Sequence, residues 1–342
     1  MARRQLRKES IEMARRWTAD ETLNLVRAFQ PACVLTAAAD LNIFGALAAR
    51  PMTAKSLSAK LGTRLRATTI LLDALTALQF LTKRADKYSI PSNVARILTE
   101  ESPDNILPAI RHQGNCLRRW NQLARIAQTG KPPEREPSIR GLAADEVAFI
   151  GAMDNFSAPV ANQIVDQLKP ITFNHLLDIG GASGTWTIAF LRIVPQARVT
   201  LFDLPTVIPL ARNRITQAGL IDRVTFVAGD FYSDKLPVGA DFVWLSAIAH
   251  QNSREQNHTL FAKIYSALRD NGVLVIRDVV MEKFRTSPAA GAMFAVNMLV
   301  ATEGGGTYTF KEFREDLTQA GFAKVKLVHH DEGMNSLIRA KK

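Results

Sequence analysis

From residue 175 onward, short apolar runs alternate with longer stretches in which apolar residues recur at helical spacing. The runs "HLLDIG" (175–180), "RVTLFD" (198–203), "RVTFVAG" (223–229), "ADFVWLS" (240–246) and "GVLVIRDVV" (272–280) have the length and composition of strands. Strands separated in this way by helices predict a parallel, doubly wound sheet. Two further short strands, 323–330 and 335–340, are expected to close one edge as an antiparallel pair. The fold class is therefore α/β, with a seven-stranded, mostly parallel sheet.

Residues 22–128 read instead as helices with one short hairpin. Within them, 52–90 runs helix, glycine turn at Gly62, second helix, basic turn and short strand, the order of a winged helix-turn-helix. The second helix, Thr68 to Phe80, carries Ile70, Leu71, Leu72, Ala74, Leu75, Ala77, Leu78 and Phe80, and so is apolar nearly all round. A helix that reads a DNA groove needs a polar face to meet base edges. This one is expected to be buried between two subunits.

Charge changes the picture in one respect. The net charge of +11 arises entirely before residue 141: 23 basic against 12 acidic residues in 1–140, then 20 against 20. With the Pro- and charge-rich "TGKPPEREPS" (129–138), this predicts a basic N-terminal extension (1–21), a winged-helix-like dimerisation domain (22–138) and a second domain (139–342). The basic excess keeps a ligand-sensing DNA-binding protein as an alternative reading. Two cysteines, Cys33 and Cys116, support neither a disulfide framework nor a metal cluster, and no metal site is expected. The first residues lack the apolar core of a signal peptide, and no apolar stretch approaches the ~20 residues of a membrane span. A cytoplasmic protein without membrane contact is expected.

The candidate chemistry lies at the ends of the predicted strands. "DIGGASG" fits the dinucleotide fingerprint G-x-G-x-x-G poorly, since Ala182 and Thr185 fall where its second and third glycines would be. It fits acid-x-Gly-x-small-x-Gly, with Asp178, Gly180, Ala182 and Gly184. A carboxylate before the bend repels phosphate and suits an ammonium group or hydroxyls. Asp203, ending the second strand, can accept from ribose hydroxyls; Asp230 can accept from an exocyclic amine, with Phe231 offering a ring face to a purine. An adenosine ligand with an amino acid end and no phosphate is S-adenosyl-L-methionine.

"LLDIGGASGT", "LFDLP", "VAGDFY", "LSAIAHQNSREQN" and "GGGTYTFKEFREDLTQAGF", in that order, resemble the class I S-adenosylmethionine-dependent O-methyltransferases that carry an N-terminal winged-helix dimerisation domain. Plant caffeic acid enzymes, hydroxyindole enzymes and their bacterial relatives belong to that family, and the likeness runs from about residue 22 to 342. It implies a homodimer that methylates a small aromatic or polyketide-type acceptor. Its motifs add Gly181, Leu204 and Ser246 to the cofactor site, and its catalytic base falls on His250, oriented by Asp278. The plant pattern of Asp-Trp after the histidine is replaced by Gln251 and Asn252, and its second orienting acid by Thr307.

A general base suits a phenolic acceptor, whose pKa near ~10 leaves it protonated at neutral pH. Carbon or nitrogen methylation on the same scaffold is the alternative within enzymes. Met153, Asn155 and Phe156 (in 149–165) and Met293, Phe294, Asn297 and Met298 (in 289–306) are candidate pocket residues. His112 is read as packing or an acceptor contact, His258 as a surface residue, His329 and His330 as edge-strand residues, and Trp186 as packing.

Overall fold

The computed structural model describes residues 15–342, so the first fourteen residues of the expected extension lie outside the described residues. The chain divides into two compact units between Thr99 and Glu100.

The first unit contains helices α1 (Ala19–Arg27), α2 (Phe29–Asp40) and α3 (Ile43–Ala48), strand β1 (Met52–Thr53), helices α4 (Ala54–Leu61) and α5 (Leu65–Ala77), strands β2 (Thr82–Arg84) and β3 (Lys87–Ser89), and helix α6 (Ser92–Leu98). Its three strands pair antiparallel in the order β1-β3-β2. Gly62, at φ 66°, ends α4 in the left-handed conformation that lets the chain turn into α5. Helix, glycine turn, helix and wing thus follow as the sequence predicts.

The burial of α5 is different from that expected. Leu72 and Leu75 are fully buried in this unit's own core, whereas Ile70 on the same helix is 55% exposed. The helix is one-sided: its inward face packs on α2 and α4. Only the opposite face, with Leu65, Ile70 and Leu78, is left for a partner.

The second unit begins earlier than the Pro-rich segment suggested. Helices α7 (Leu107–Trp120) and α8 (Leu123–Thr129) belong to it, because α7 packs along α9 (Leu142–Asp166). Gly151 permits the approach: a Cβ there would fall 2.7 Å from Pro108 Cβ. The element order continues β4 (His175–Ile179), α10 (Thr185–Ile193), β5 (Arg198–Asp203), α11 (Ile208–Gln217), β6 (Val224–Ala228), β7 (Ala240–Ser246), α12 (Arg254–Ala267), β8 (Leu268–Asp278), β9 (Val280–Met281), α13 (Ala289–Ala301), β10 (Tyr308–Thr309), α14 (Phe310–Gln319), β11 (Ala323–His329) and β12 (Ser336–Lys341).

Seven strands form one sheet in the order β11-β12-β8-β7-β4-β5-β6. The five strands from β8 to β6 are parallel, and β12 lies antiparallel to both β8 and β11. One sheet face buries Leu177, Phe202, Phe261 and Phe313, the other Leu176, Phe190, Phe242 and Trp244. Both faces are dry, as the continuous apolar runs require. Beyond β8 the chain adds a small parallel pair, β9 with β10, that the sequence pattern did not suggest.

Candidate active site

The chain steps from β4 outward to β5 and β6, then returns to set β7 against the other side of β4. This reversal opens a crevice at the carboxyl ends of β4 and β7, where sheets of this kind bind ligands.

After Ile179 the backbone turns through Gly180 (φ 66°), Ala182 (46°) and Gly184 (78°). L residues resist this region, and Ala182 bears a cost of about 1–2 kcal/mol. Space is also short: a Cβ on Gly180 would lie 2.8 Å from Ile248 Cδ1, and one on Gly181 2.5 Å from Leu201 Cγ. The bend is held by Asp203, whose Oδ2 accepts the Ala182 amide and whose Oδ1 accepts the Leu204 amide, both at 2.7 Å. Each oxygen keeps acceptor capacity for a ribose hydroxyl. Burial raises the pKa of Asp203, and the two amide donors oppose that rise.

Asp178 does not face the crevice as expected. It is 1% exposed, its Oδ2 accepts the Thr187 hydroxyl at 2.6 Å, and it lies directly beneath Gly181. Burial pushes its pKa up to about 7, against the Thr187 hydrogen bond and with help from nearby Asp203. It supports the bend from below.

The remaining cofactor candidates lie at or just after the carboxyl ends of β5, β6 and β7. Asp230 follows β6, its Oδ1 accepting the Tyr232 amide at 2.9 Å, and the Phe231 ring lies against that of Tyr232. Leu204 is 45% exposed beside Asp203. Ser246 ends β7 and accepts from Arg277 Nη1 at 3.1 Å, which leaves its own proton to donate. A crevice of backbone, hydroxyl and carboxylate groups fits an adenosine and disfavours phosphates.

Across the crevice, His250 is held rigidly. Its Nδ1 lies 2.8 Å from Asp278 Oδ1, and its backbone amide donates to Asp278 Oδ2 at 3.2 Å. Asp278 Oδ1 also accepts the Val279 amide at 2.7 Å, and the carboxylate is buried. An acceptor-only partner at Nδ1 assigns the proton to that nitrogen and leaves the Nε2 lone pair available as a base. The ring meets Phe294 edge-on, with centroids 4.8 Å apart.

The pocket candidates divide. Phe294 touches the histidine, and Met153, Phe156 and Met293 keep partial or substantial exposure. Asn155 has its polar atoms engaged within the protein: its Oδ1 accepts the Ala109 amide at 3.2 Å and its Nδ2 donates to Asn105 O at 2.8 Å. It clamps the start of α7. Asn297 Oδ1 accepts Trp120 Nε1 at 3.0 Å, joining α13 to α7, and Met298 is packed in the core. His112 lies edge-on to Phe149; burial, then Arg119 and Arg135, lower its pKa to about 4. His258 is no simple surface residue, since its Nε2 lies 2.7 Å from Asp316 Oδ1. Trp186 packs against Trp244, as expected.

Residues 141–323 match the O-methyltransferase domain, and residues 23–100 match the O-methyltransferase dimerisation domain. The chain belongs to the O-methyltransferase family. It is 31% identical to the 3-hydroxy-5-methyl-1-naphthoate 3-O-methyltransferase of Streptomyces sahachiroi, over 89% of this chain and 90% of that one. It is 30% identical to the tetracenomycin polyketide synthesis 8-O-methyl transferase of Streptomyces glaucescens, over 90% and 92%. A solved structure of PigF with SAH superposes with a TM-score of 0.84 at 25% identity, covering 95% of this chain and 100% of that one. The protein is an S-adenosylmethionine-dependent methyltransferase.

In this methyltransferase the replacements that follow the histidine have structural work. Asn252 is fully buried; its Oδ1 accepts the Tyr232 hydroxyl at 2.5 Å and its Nδ2 donates to Asn257 at 3.0 Å, while Asn257 Nδ2 donates to Ala249 O at 2.9 Å. Gly306 donates to His250 O at 2.8 Å, and a Cβ on Gly305 would strike that same oxygen at 2.6 Å. "GGG" therefore lies flat against the histidine turn. Arg277 was also missed. It is 4% exposed, stacked over Trp186 and bonded to the neutral Ser246 and Asn335, and burial lowers its pKa to about 10 against the opposing pull of Asp278 and Asp331. Its place in an apolar strand gave no signal. Among the described residues no helix is long and apolar enough to cross a membrane.

Proposed function

We propose that the methyltransferase transfers its methyl group to a hydroxyl oxygen of a small aromatic or polyketide-type acceptor, with His250 as the general base. The observation that carries this reading is the 2.8 Å contact between His250 Nδ1 and a buried Asp278 carboxylate. When bound, S-adenosylmethionine supplies an electrophilic methyl on a sulfonium. Asp203, Asp230 and Ser246 would hold it; Nε2 would take the acceptor's proton as the oxygen bonds to the methyl carbon, whose bond to sulfur would break with its electron pair leaving on sulfur. Asp278 stabilises the imidazolium thus formed and holds the ring in place. The two Streptomyces relatives, both named as O-methyltransferases, support oxygen as the receiving atom.

The surroundings of α7 bear on the acceptor. Arg119 is half-buried next to Trp120; burial lowers its pKa, and the cations Arg118 and Arg135 lie near it. An acceptor bearing a carboxylate, as the name of the naphthoate relative implies for that enzyme, would complement these charges. The dimerisation-domain match and the exposed apolar face of α5 support a homodimer, and the two free cysteines suit a cytoplasmic setting. A panel of hydroxylated aromatics, with and without a carboxylate, incubated with methyl-labelled S-adenosylmethionine tests the reading. O-methyl products are expected, and label confined to carbon or nitrogen would overturn it.

A further inference from the structure

The cofactor bend contains three left-handed residues in five, two of them glycines, so its backbone has little stiffness of its own. Asp203 ties down its first half through Ala182. The second half is tied by a residue that none of the family motifs contains. Asp154, on α9 between Met153 and Asn155, accepts at Oδ1 from Thr185 Oγ1 and from Arg214 Nη1, each at 2.5 Å. Arg214, on α11, also donates to Thr185 Oγ1 at 3.0 Å and reaches Ser183 O at 3.5 Å, while Ser183 Oγ lies 3.0 Å from Thr185 Oγ1. One carboxylate therefore joins α9, the bend and α11.

Its placement suits the charge. Helix α10 begins at Gly184 with no side-chain cap, so its first amides carry uncompensated positive character, and Thr185 is its first residue. A carboxylate bonded to that residue favours this end of the helix, and Arg214 balances the carboxylate. The cluster is partly shielded, with side-chain exposures of 35% for Arg214 and 23% for Asp154.

We propose that Asp154 is a positioning residue for the cofactor, acting through Thr185 and Arg214 to keep the bend closed. Because its neighbours Met153 and Phe156 are pocket candidates on the same helix, Asp154 also ties the acceptor wall to the cofactor cradle. The proposal holds whichever atom receives the methyl group, and it does not depend on His250.

Titration calorimetry of S-adenosylhomocysteine into the full chain tests it. Asp154→Asn should weaken binding about 10- to 100-fold, since a hydrogen-bonded charge is lost at the bend. Arg214→Gln should weaken it similarly, and the double variant should be no worse than the weaker single, because the two act as one unit. Initial rates should show a raised KM for the methyl donor with kcat at saturation largely kept, and melting should stay close to the wild type. Undiminished affinity in both single variants, or losses that add in the double variant, would overturn the proposal. If Asp154→Asn does not fold, Arg214→Gln decides alone: wild-type affinity there is equally fatal.

Discussion

At the cofactor end of the crevice, the ligand-facing groups sit on strand ends and one bend, and each is fixed by partners close in the sheet: Asp203 by the amides of Ala182 and Leu204, Asp230 by Tyr232. At the acceptor end, helices α7, α9 and α13 converge, and their amide side chains bind one another's elements, Asn155 holding α7 and Asn297 holding Trp120. The first region presents polar groups to a ligand. The second uses its polar groups to assemble its own walls, so the pocket candidates that keep exposed surface are Met153, Phe156, Met293 and Phe294. A wall of that kind selects by shape and apolar contact, with few fixed hydrogen bonds to tie it to a single acceptor.

The contrast can be broken most forcefully at Asp178. A carboxyl whose folded pKa of about 7 stands above its unfolded value of 3.8 is favoured in its protonated form by folding. The stability this gives is complete below the unfolded value and is lost as pH climbs from about 4 to about 7, roughly 4 kcal/mol at most. Urea unfolding of the free protein across that window should show the decline, and Asp178→Asn should flatten it. An unchanged slope in the variant would show that Asp178 is not what makes the cofactor end sensitive to pH.

The next effect is at Asp203. Its replacement by Ala removes an acceptor for ribose hydroxyls and the tie to Ala182, and should weaken S-adenosylhomocysteine about 10- to 150-fold in a calorimetric titration. Wild-type affinity would remove Asp203 from the cofactor site. The smallest effect sharpens the contrast from the other side. Asn155→Ala should lower unfolding stability by about 1–2 kcal/mol through the lost clamp on α7, while cofactor affinity stays within twofold. A normal melt together with a raised acceptor KM would instead return Asn155 to the pocket.

The same contrast explains what could be read without coordinates. Strand ends and the glycine bend are local: an acid after an apolar run, or a small residue where φ must be positive, announces itself within ten residues. The sheet and the glycine bend were legible for that reason, and the pairing of His250 with Asp278 was legible through the family resemblance. The clamp that Asn155 makes on α7 could not be read because its partners lie 46 and 50 residues away. Asp154 passed unnoticed because a single acid on a helix looks like solvent-facing polarity, and its partners Thr185 and Arg214 are 31 and 60 residues distant. The burial of Leu72 and Leu75 was assigned to a partner subunit because composition reports that a face is apolar, and not which surface covers it. Asp178 was seen as an acid at a strand end, but its 1% exposure depends on how α10 closes over it.

The central claim is that His250, locked by Asp278, removes the acceptor's proton, and its most direct test is the pH dependence of turnover in His250→Ala beside the wild type, at saturating methyl donor and with one identified phenolic acceptor. The wild-type rate should fall on acidification, as in any transfer that needs a free general base. The variant should be slower by about 10² to 10⁴ at neutral pH, lack that acid limb, and recover toward alkaline pH where the acceptor ionises unaided, with S-adenosylhomocysteine affinity unchanged. Equal rates for the two proteins across the whole range would contradict the account and leave His250 as a structural residue of its turn.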